Sequence, residues 1–255
     1  MSVVVRKFLR NLLPAAALAA VLGFGGLIAS PVNAGVITVG TPIGTPDSAG
    51  NIGARLRWGA NGWESAIRRG SPTNYVKPLN PVGTPVWNVG TAYQFEVSWT
   101  AATGTLGLKV DFNNDSVFGA GESISHDFDG TPDGSKNTGL SRVGYGYYGL
   151  SIYGNQNGST ATSIVTDLSI NGYSQSNISP PNGGDLSVSF KDSTDALLQN
   201  ITISGKLTYL TPGTDEERPA WDFTLRSPQA VPEPGSLSLL AVGLAGLVGV
   251  RRRRS

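Results

Sequence analysis

Cysteine is absent from the 255-residue chain, and histidine and methionine occur once each. Without cysteine there is no disulfide to staple the fold, no thiolate metal ligand and no cysteine nucleophile. The single histidine, His126, excludes a multi-histidine zinc centre. No Gly-x-Ser-x-Gly nucleophile elbow occurs. Charged residues make up only 15% of the chain. No window outside the two termini repeats apolar residues at helical spacing, which argues against a helical body. Stability must then come from a core built of strands.

The formal net charge of +1 hides an asymmetry. Of the 19 basic residues, three lie in the first 34 positions and four in the last 25; of the 18 acidic residues only Glu233 lies in either. The body between keeps 12 basic and 17 acidic residues, a net charge near −5. A mildly acidic body argues against nucleic acid as a partner.

Both ends read as targeting segments rather than fold. Arg6, Lys7 and Arg10 precede an apolar stretch from Leu12 to Ala29, and Val32-Asn33-Ala34 offers a small-residue cleavage site before Gly35. That is the pattern of a secretory signal peptide over residues 1–34, read by the secretion translocon and signal peptidase. At the other end, Pro232-Glu233-Pro234 displays one carboxylate on a backbone that two proline rings hold extended. Leu237 to Val250 carries no charge. As a helix it spans roughly 20 Å, against a hydrocarbon core of roughly 30 Å. Arg251, Arg252, Arg253 and Arg254 then mark the cytoplasmic side and stop transfer.

In this order and at this end of the chain, the three parts over residues 231–255 resemble the PEP-CTERM sorting signal of exported proteins in Gram-negative bacteria. The resemblance implies transient anchoring in the inner membrane and processing at Pro232-Glu233-Pro234 by an exosortase, a membrane-embedded transpeptidase-like enzyme. It implies a destination at the cell surface or in the extracellular matrix, in bacteria that make extracellular polysaccharide. Exosortase is thus one expected partner and exopolysaccharide another.

The body, residues 35–230, is long enough for one domain and reads as β throughout. Tyr93, Phe95, Val97 and Trp99 alternate with Gln94, Glu96 and Ser98, the pattern of a half-buried antiparallel strand. After a glycine-containing turn, Leu106, Leu108, Val110 and Phe112 repeat the alternation and predict a hairpin. Further strands are expected at 36–39, 54–58, 144–153, 164–170, 186–190, 201–209 and 221–225, with Gly, Pro, Asn, Asp and Ser between them. So many short strands predict an all-β, antiparallel β-sandwich, of jelly-roll type, flanked by a signal helix and a C-terminal transmembrane sorting helix. The 93–112 hairpin loosely resembles the strands of concanavalin-like lectin and glucanase domains, which bears on architecture and not on sugar binding.

Three stretches carry candidate chemistry. Asp111, Asn113, Asp115 and Glu122 stand at positions 1, 3, 5 and 12 of a twelve-residue run, the oxygen spacing of a calcium loop. Position 6 is Ser116 instead of glycine, and the flanks read as strand. The same pattern serves a polar turn whose Asn and Asp side chains bond their own backbone. Next, His126-Asp127-Phe128-Asp129 sets a histidine beside carboxylates, in what reads as a solvated loop. Last, Trp58 and Trp63, and Tyr145 and Tyr147 in the Gly144–Tyr153 run, are candidate glycan contacts if exposed, and core residues if not. In that run Tyr145, Tyr147 and Tyr153 are expected on one face and Tyr148, Leu150 and Ile152 on the other.

Two function classes follow. The first is a non-catalytic structural or binding module, displayed at the envelope or released into the matrix. The alternative is a secreted polysaccharide-active enzyme using two carboxylates on a jelly-roll scaffold. No nucleophile, metal triad or cofactor loop stands in the sequence, so the module is the expectation.

Overall fold

The computed structural model describes residues 36–40, 51–58, 65–69, 75–79, 87–131, 140–156, 162–181, 184–211 and 219–230. The expected signal and sorting helices fall on residues outside this set, as does Trp63.

Thirteen strands are described. They are β1 (Ile37–Val39), β2 (Ile52–Arg57), β3 (Ser65–Arg69), β4 (Tyr75–Pro78), β5 (Ala92–Thr100), β6 (Thr105–Val110) and β7 (Ser123–Asp127), then β8 (Tyr145–Asn155), β9 (Ser163–Ile170), β10 (Tyr173–Ser174), β11 (Asp185–Asp192), β12 (Asn200–Tyr209) and β13 (Ala220–Ala230). They pair antiparallel into a seven-stranded sheet, β1-β11-β8-β13-β2-β3-β4, and a six-stranded sheet, β10-β9-β12-β5-β6-β7. No helix stands among the described residues. All the strands fall within the unit Ala34–Val231.

The alternation read in the 93–99 segment is borne out. Tyr93, Phe95, Val97 and Trp99 are buried, while Gln94, Glu96 and Ser98 are only half-buried. Their partners across the hairpin, Leu106, Leu108 and Val110, are buried too. The turn between β5 and β6 uses Gly104 at φ +70°, where an added Cβ would lie 2.8 Å from the Phe128 carbonyl oxygen. Only glycine fits such a turn without strain.

The two sheets bury their inner faces against each other. Phe95 of the six-stranded sheet meets Phe223 of the other at 4.9 Å between ring centroids, and Trp99 meets Tyr147 edge-on at 5.4 Å. The Trp221 indole nitrogen donates across the core to Ser163 Oγ at 2.8 Å. Burying each such side chain stabilises the fold by about 1.5–3 kcal/mol, and this core does the work that disulfides do in many exported domains.

β13 is the spine of the seven-stranded sheet. Its first half pairs with β2 on one side and β8 on the other, from Ala220 to Leu225. Gly53 of β2 has no room for a side chain, since a Cβ there would lie 2.2 Å from the Phe223 carbonyl oxygen. The backbones of β2 and β13 are brought together by that gap in side-chain volume.

Four strands were not expected from the sequence. β3 contains two arginines, β4 ends in proline, and β10 has two residues. β7, Ser-Ile-Ser-His-Asp, is polar and mostly exposed at the sheet edge. In each the apolar alternation is too short or too interrupted to register. The polar edge is also what keeps such a strand from pairing with other chains.

The expected faces of the 144–153 run need correction. Tyr147, Leu150 and Ile152 all belong to the core. The inward face changes between Tyr147 and Leu150, where β8 passes from a bridge with Leu198 to its ladder with β11, beginning at Phe190 opposite Leu150.

Candidate functional site

The Asp111–Glu122 loop connects β6 to β7. Its neck is closed by the Val110 N–H donating to the Glu122 carbonyl at 2.9 Å, and the Asp111 N–H donates to the Gln94 carbonyl at 3.0 Å. Inside the loop the carboxylates bond backbone. Asp111 accepts from the N–H groups of Asp115 at 3.1 Å and Ser116 at 2.8 Å. Glu122 accepts from Phe112 at 2.8 Å, Asn113 at 3.1 Å and Gly119 at 2.7 Å. Asn113 Oδ1 accepts from the Asp115 N–H at 3.1 Å, and Asp115 Oδ1 accepts from the Val117 N–H at 2.8 Å.

All four residues singled out by spacing therefore shape one loop. Asp111 and Glu122 are buried pins; Asn113 and Asp115 form the exposed turns. Ser116 adopts φ +68°, the left-handed conformation that glycine serves at this position, and Asn114 lies at φ 58°. The geometry is that of the self-bonded polar turn. Among the described residues no three His, Cys, Asp or Glu side chains gather as a metal site.

The expected solvated loop around His126 is not one. His126 belongs to β7, is 5% exposed, and meets the buried Phe128 ring edge-on at 4.6 Å. Pairing of β7 with β6 sets His126 opposite Leu106, so register and not composition buries it. The neighbouring carboxylates have other partners. Asp127 accepts from Thr105 Oγ1 at 2.7 Å, and Asp129 from the Thr131 N–H at 2.7 Å. That backbone donor, with the Thr131 hydroxyl, holds Asp129 below the usual carboxylate range.

The aromatic candidates separate. Tyr147 is fully buried against Trp99 and is not available to stack on a sugar. Tyr145 is half-buried beneath the Arg142 guanidinium, 4.9 Å from the ring centroid. Trp58 is half-buried and packs edge-on against Tyr209 at 5.3 Å.

A cluster that the sequence reading missed lies on the outer face of the seven-stranded sheet. β2 turns Arg55 to that face, β3 turns Arg68, and β13 turns Asp222, Thr224 and Arg226, each being the alternate of a core residue. Register sets Arg55 opposite Asp222, and Gly53 opposite both Thr224 and Arg68. Arg55 grips Asp222 with Nε at 2.6 Å and Nη2 at 2.7 Å, and gives Nη1 to the Tyr75 hydroxyl at 2.8 Å. Arg68 Nε lies 3.5 Å from the same carboxylate, and Nη2 donates to Thr224 Oγ1 at 2.6 Å.

Arg226 Nη1 donates to Ser151 Oγ at 3.2 Å. Burial works against the Arg55 charge, yet the Asp222 carboxylate outweighs it and the guanidinium is held above its ordinary value. Arg68 goes the other way: burial, with repulsion from Arg55, pulls it below its ordinary value despite Asp222. The signal was present in the sequence as Asp222 between Trp221 and Phe223, a charge at an alternate position of an apolar strand.

The tail enters at the end of this same spine strand. A family model described as the PEP-CTERM protein-sorting motif matches residues 230–254. The chain carries that sorting motif. No curated protein matches the chain. The PEP-CTERM match includes Pro232, Glu233, Pro234 and Arg251 to Arg254, all outside the described residues. A PEP-CTERM motif marks an exported protein that is anchored transiently at the membrane and processed there by an exosortase.

Proposed function

We propose that the chain is an exosortase-sorted module without catalytic activity, acting structurally or as a binder at the cell surface or in the extracellular matrix. The observation that carries this reading is the PEP-CTERM motif at residues 230–254, immediately after a β-sandwich. In this reading residues 1–34 are a signal peptide, and the sandwich is of jelly-roll type. Passage of the chain back and forth between the two sheets from β7 to β13 supports the jelly-roll order.

The module reading draws on what the carboxylates do. Asp222 is held by two guanidinium groups, and Asp111 and Glu122 by backbone N–H groups. Glu96 pairs with Lys109 at 2.8 Å, Asp167 with Lys206 at 2.8 Å and Asp195 with Lys191 at 2.7 Å. Asp185 accepts from the Tyr153 hydroxyl at 2.6 Å. Carboxylates tied up in this way serve structure; a glycosidase pair instead faces a shared cleft.

Intact-mass analysis of the native protein tests the sorting half of the proposal. The expected mass lacks residues 1–34 and the tail beyond the Pro-Glu-Pro motif. Surface material from exosortase-positive cells that still carries Arg251 to Arg254 would overturn it. Release of reducing sugar ends from extracellular polysaccharides by the purified protein would overturn the non-catalytic half.

A further inference from the structure

Among the described residues, the outer face of the seven-stranded sheet carries more positive charge than its carboxylates neutralise. Arg55, Arg68 and Arg226 share that face with Asp222, and Asp185 stands at its far side, bonded to the Tyr153 hydroxyl. Arg68 is 7% exposed at its side chain, and its Nε and Nη1 atoms are buried with no hydrogen-bond acceptor. A buried guanidinium with unused donors is costly, and a planar anion that fits its fork relieves the cost.

The surroundings narrow the anion. Arg68 and Arg226 flank Thr224, the first by its bond to the hydroxyl and the second as its same-face neighbour on β13. Ser151 and Ser189 lie beside them, their hydroxyls 2.9 Å apart. Tyr75 bounds the cluster on one side, 5.8 Å from the Arg55 guanidinium, and Tyr153 stands opposite Asp222 on the other. Both tyrosines and Arg226 are half-buried, so each presents part of its surface. Guanidinium forks, hydroxyls and tyrosine rings on one face are the groups that a carboxylate-bearing sugar engages: its acid on the forks, its hydroxyls on the serines and threonine, its ring on the aromatics. A body otherwise near −5 repels a polyanion elsewhere and directs it to this face.

We propose that the Arg55–Arg68–Arg226 face binds acidic sugar residues of an extracellular glycan, with the sugar carboxylate seated beside Thr224 between Arg68 and Arg226. The assignment rests on the reading of the body as a non-catalytic module and names its ligand class.

Calorimetry on the full chain in detergent tests it with three probes: a short oligogalacturonate, a neutral oligosaccharide of equal length, and inorganic phosphate. The oligogalacturonate is expected to bind, less tightly as salt rises, and the neutral sugar not to bind. Arg226→Gln is expected to weaken oligogalacturonate binding about ten- to a hundredfold, from the loss of a charge-assisted hydrogen bond. Arg226→Lys, which keeps the charge, recovers part of the loss and serves if the Gln variant melts early.

Phosphate is expected to compete only at far higher concentration. Phosphate binding as tight as the oligogalacturonate would make this a simple anion site and end the glycan assignment. Absent binding by the folded parent, or unchanged affinity in Arg226→Gln, would overturn the proposal and leave the module reading intact. Shortening of the oligogalacturonate during the titration, seen by chromatography, would overturn the module reading instead.

Discussion

Replacing Asp222 with Asn tests what holds the outer face together. The change keeps volume and one acceptor oxygen but removes the carboxylate that Arg55 and Arg68 share. Two hydrogen bonds at 2.6 and 2.7 Å lose their ionic partner, and a third nitrogen at 3.5 Å loses its counter-charge. The three side chains are 14%, 7% and 6% exposed, so water replaces little of what is lost. Breaking a buried pair from one side costs about 3–5 kcal/mol, because the opposite charge stays buried and uncompensated. Here the remainder is two like charges, and Arg55 already opposes the charge on Arg68.

Against a typical domain stability of about 5–15 kcal/mol, that loss is large. At about 2–4 °C per kcal/mol for a chain of this size, the melting temperature should fall by about 6–20 °C. Near-UV circular dichroism is the suitable readout, since buried Trp221 and Phe223 flank the substituted position. A fall of less than about 2 °C would show that the carboxylate is not what compensates the arginines, and the electrostatic account of this face would be wrong.

The Asp111 pin gives a second test. Asp111→Ala leaves the Ser116 N–H without an acceptor and the Asp115 N–H with Asn113 Oδ1 alone, and should cost about 1–3 kcal/mol, measured by urea unfolding in the presence of a chelator. Calcium settles what else the loop does: a melting temperature that rises with millimolar calcium in the parent and not in Asp115→Ala would show an ion bound on Asp111, Asn113, Asp115 and Glu122, and an unchanged one would leave the polar turn as the full account. Tyr153 predicts an alkaline effect. Burial, then the hydrogen bond and charge of Asp185, raise its pKa above the ordinary value. Its contribution is therefore complete below the unfolded pKa of about 10 and is lost as pH climbs through the higher folded value. Tyr153→Phe should flatten the fall of melting temperature above that pH; an identical slope in both proteins would refute the assignment.

Residues that act through near neighbours in the chain were legible without coordinates. The period-two alternation of β5 and β6 follows from the pleat, which sends successive side chains to opposite faces whatever the partner strand is. The sorting tail is the extreme case, because a proline-locked segment, an apolar run and an arginine cluster act in chain order and need no tertiary partner. The four loop residues from Asp111 to Glu122 were also legible, since their side-chain bonds span at most ten positions. Even the Asn171-Gly172 turn into β10, with both residues at positive φ, is a local signal of the hairpin type, though β10 was not read from it.

Pairing decided the rest. Whether Tyr147 would meet a sugar or a core depended on Trp99, which lies on the other sheet. Whether His126 would be solvated depended on which residue β6 set across from it. Arg55 reaches Asp222 across 167 positions, and Arg68 reaches Thr224 across 156. A one-residue slip in any ladder would send those side chains to the opposite face. Composition and spacing carry no record of register, so the sequence alone determined that strands form and that the chain is sorted, while the tertiary structure alone placed two arginines around one aspartate on an outer face.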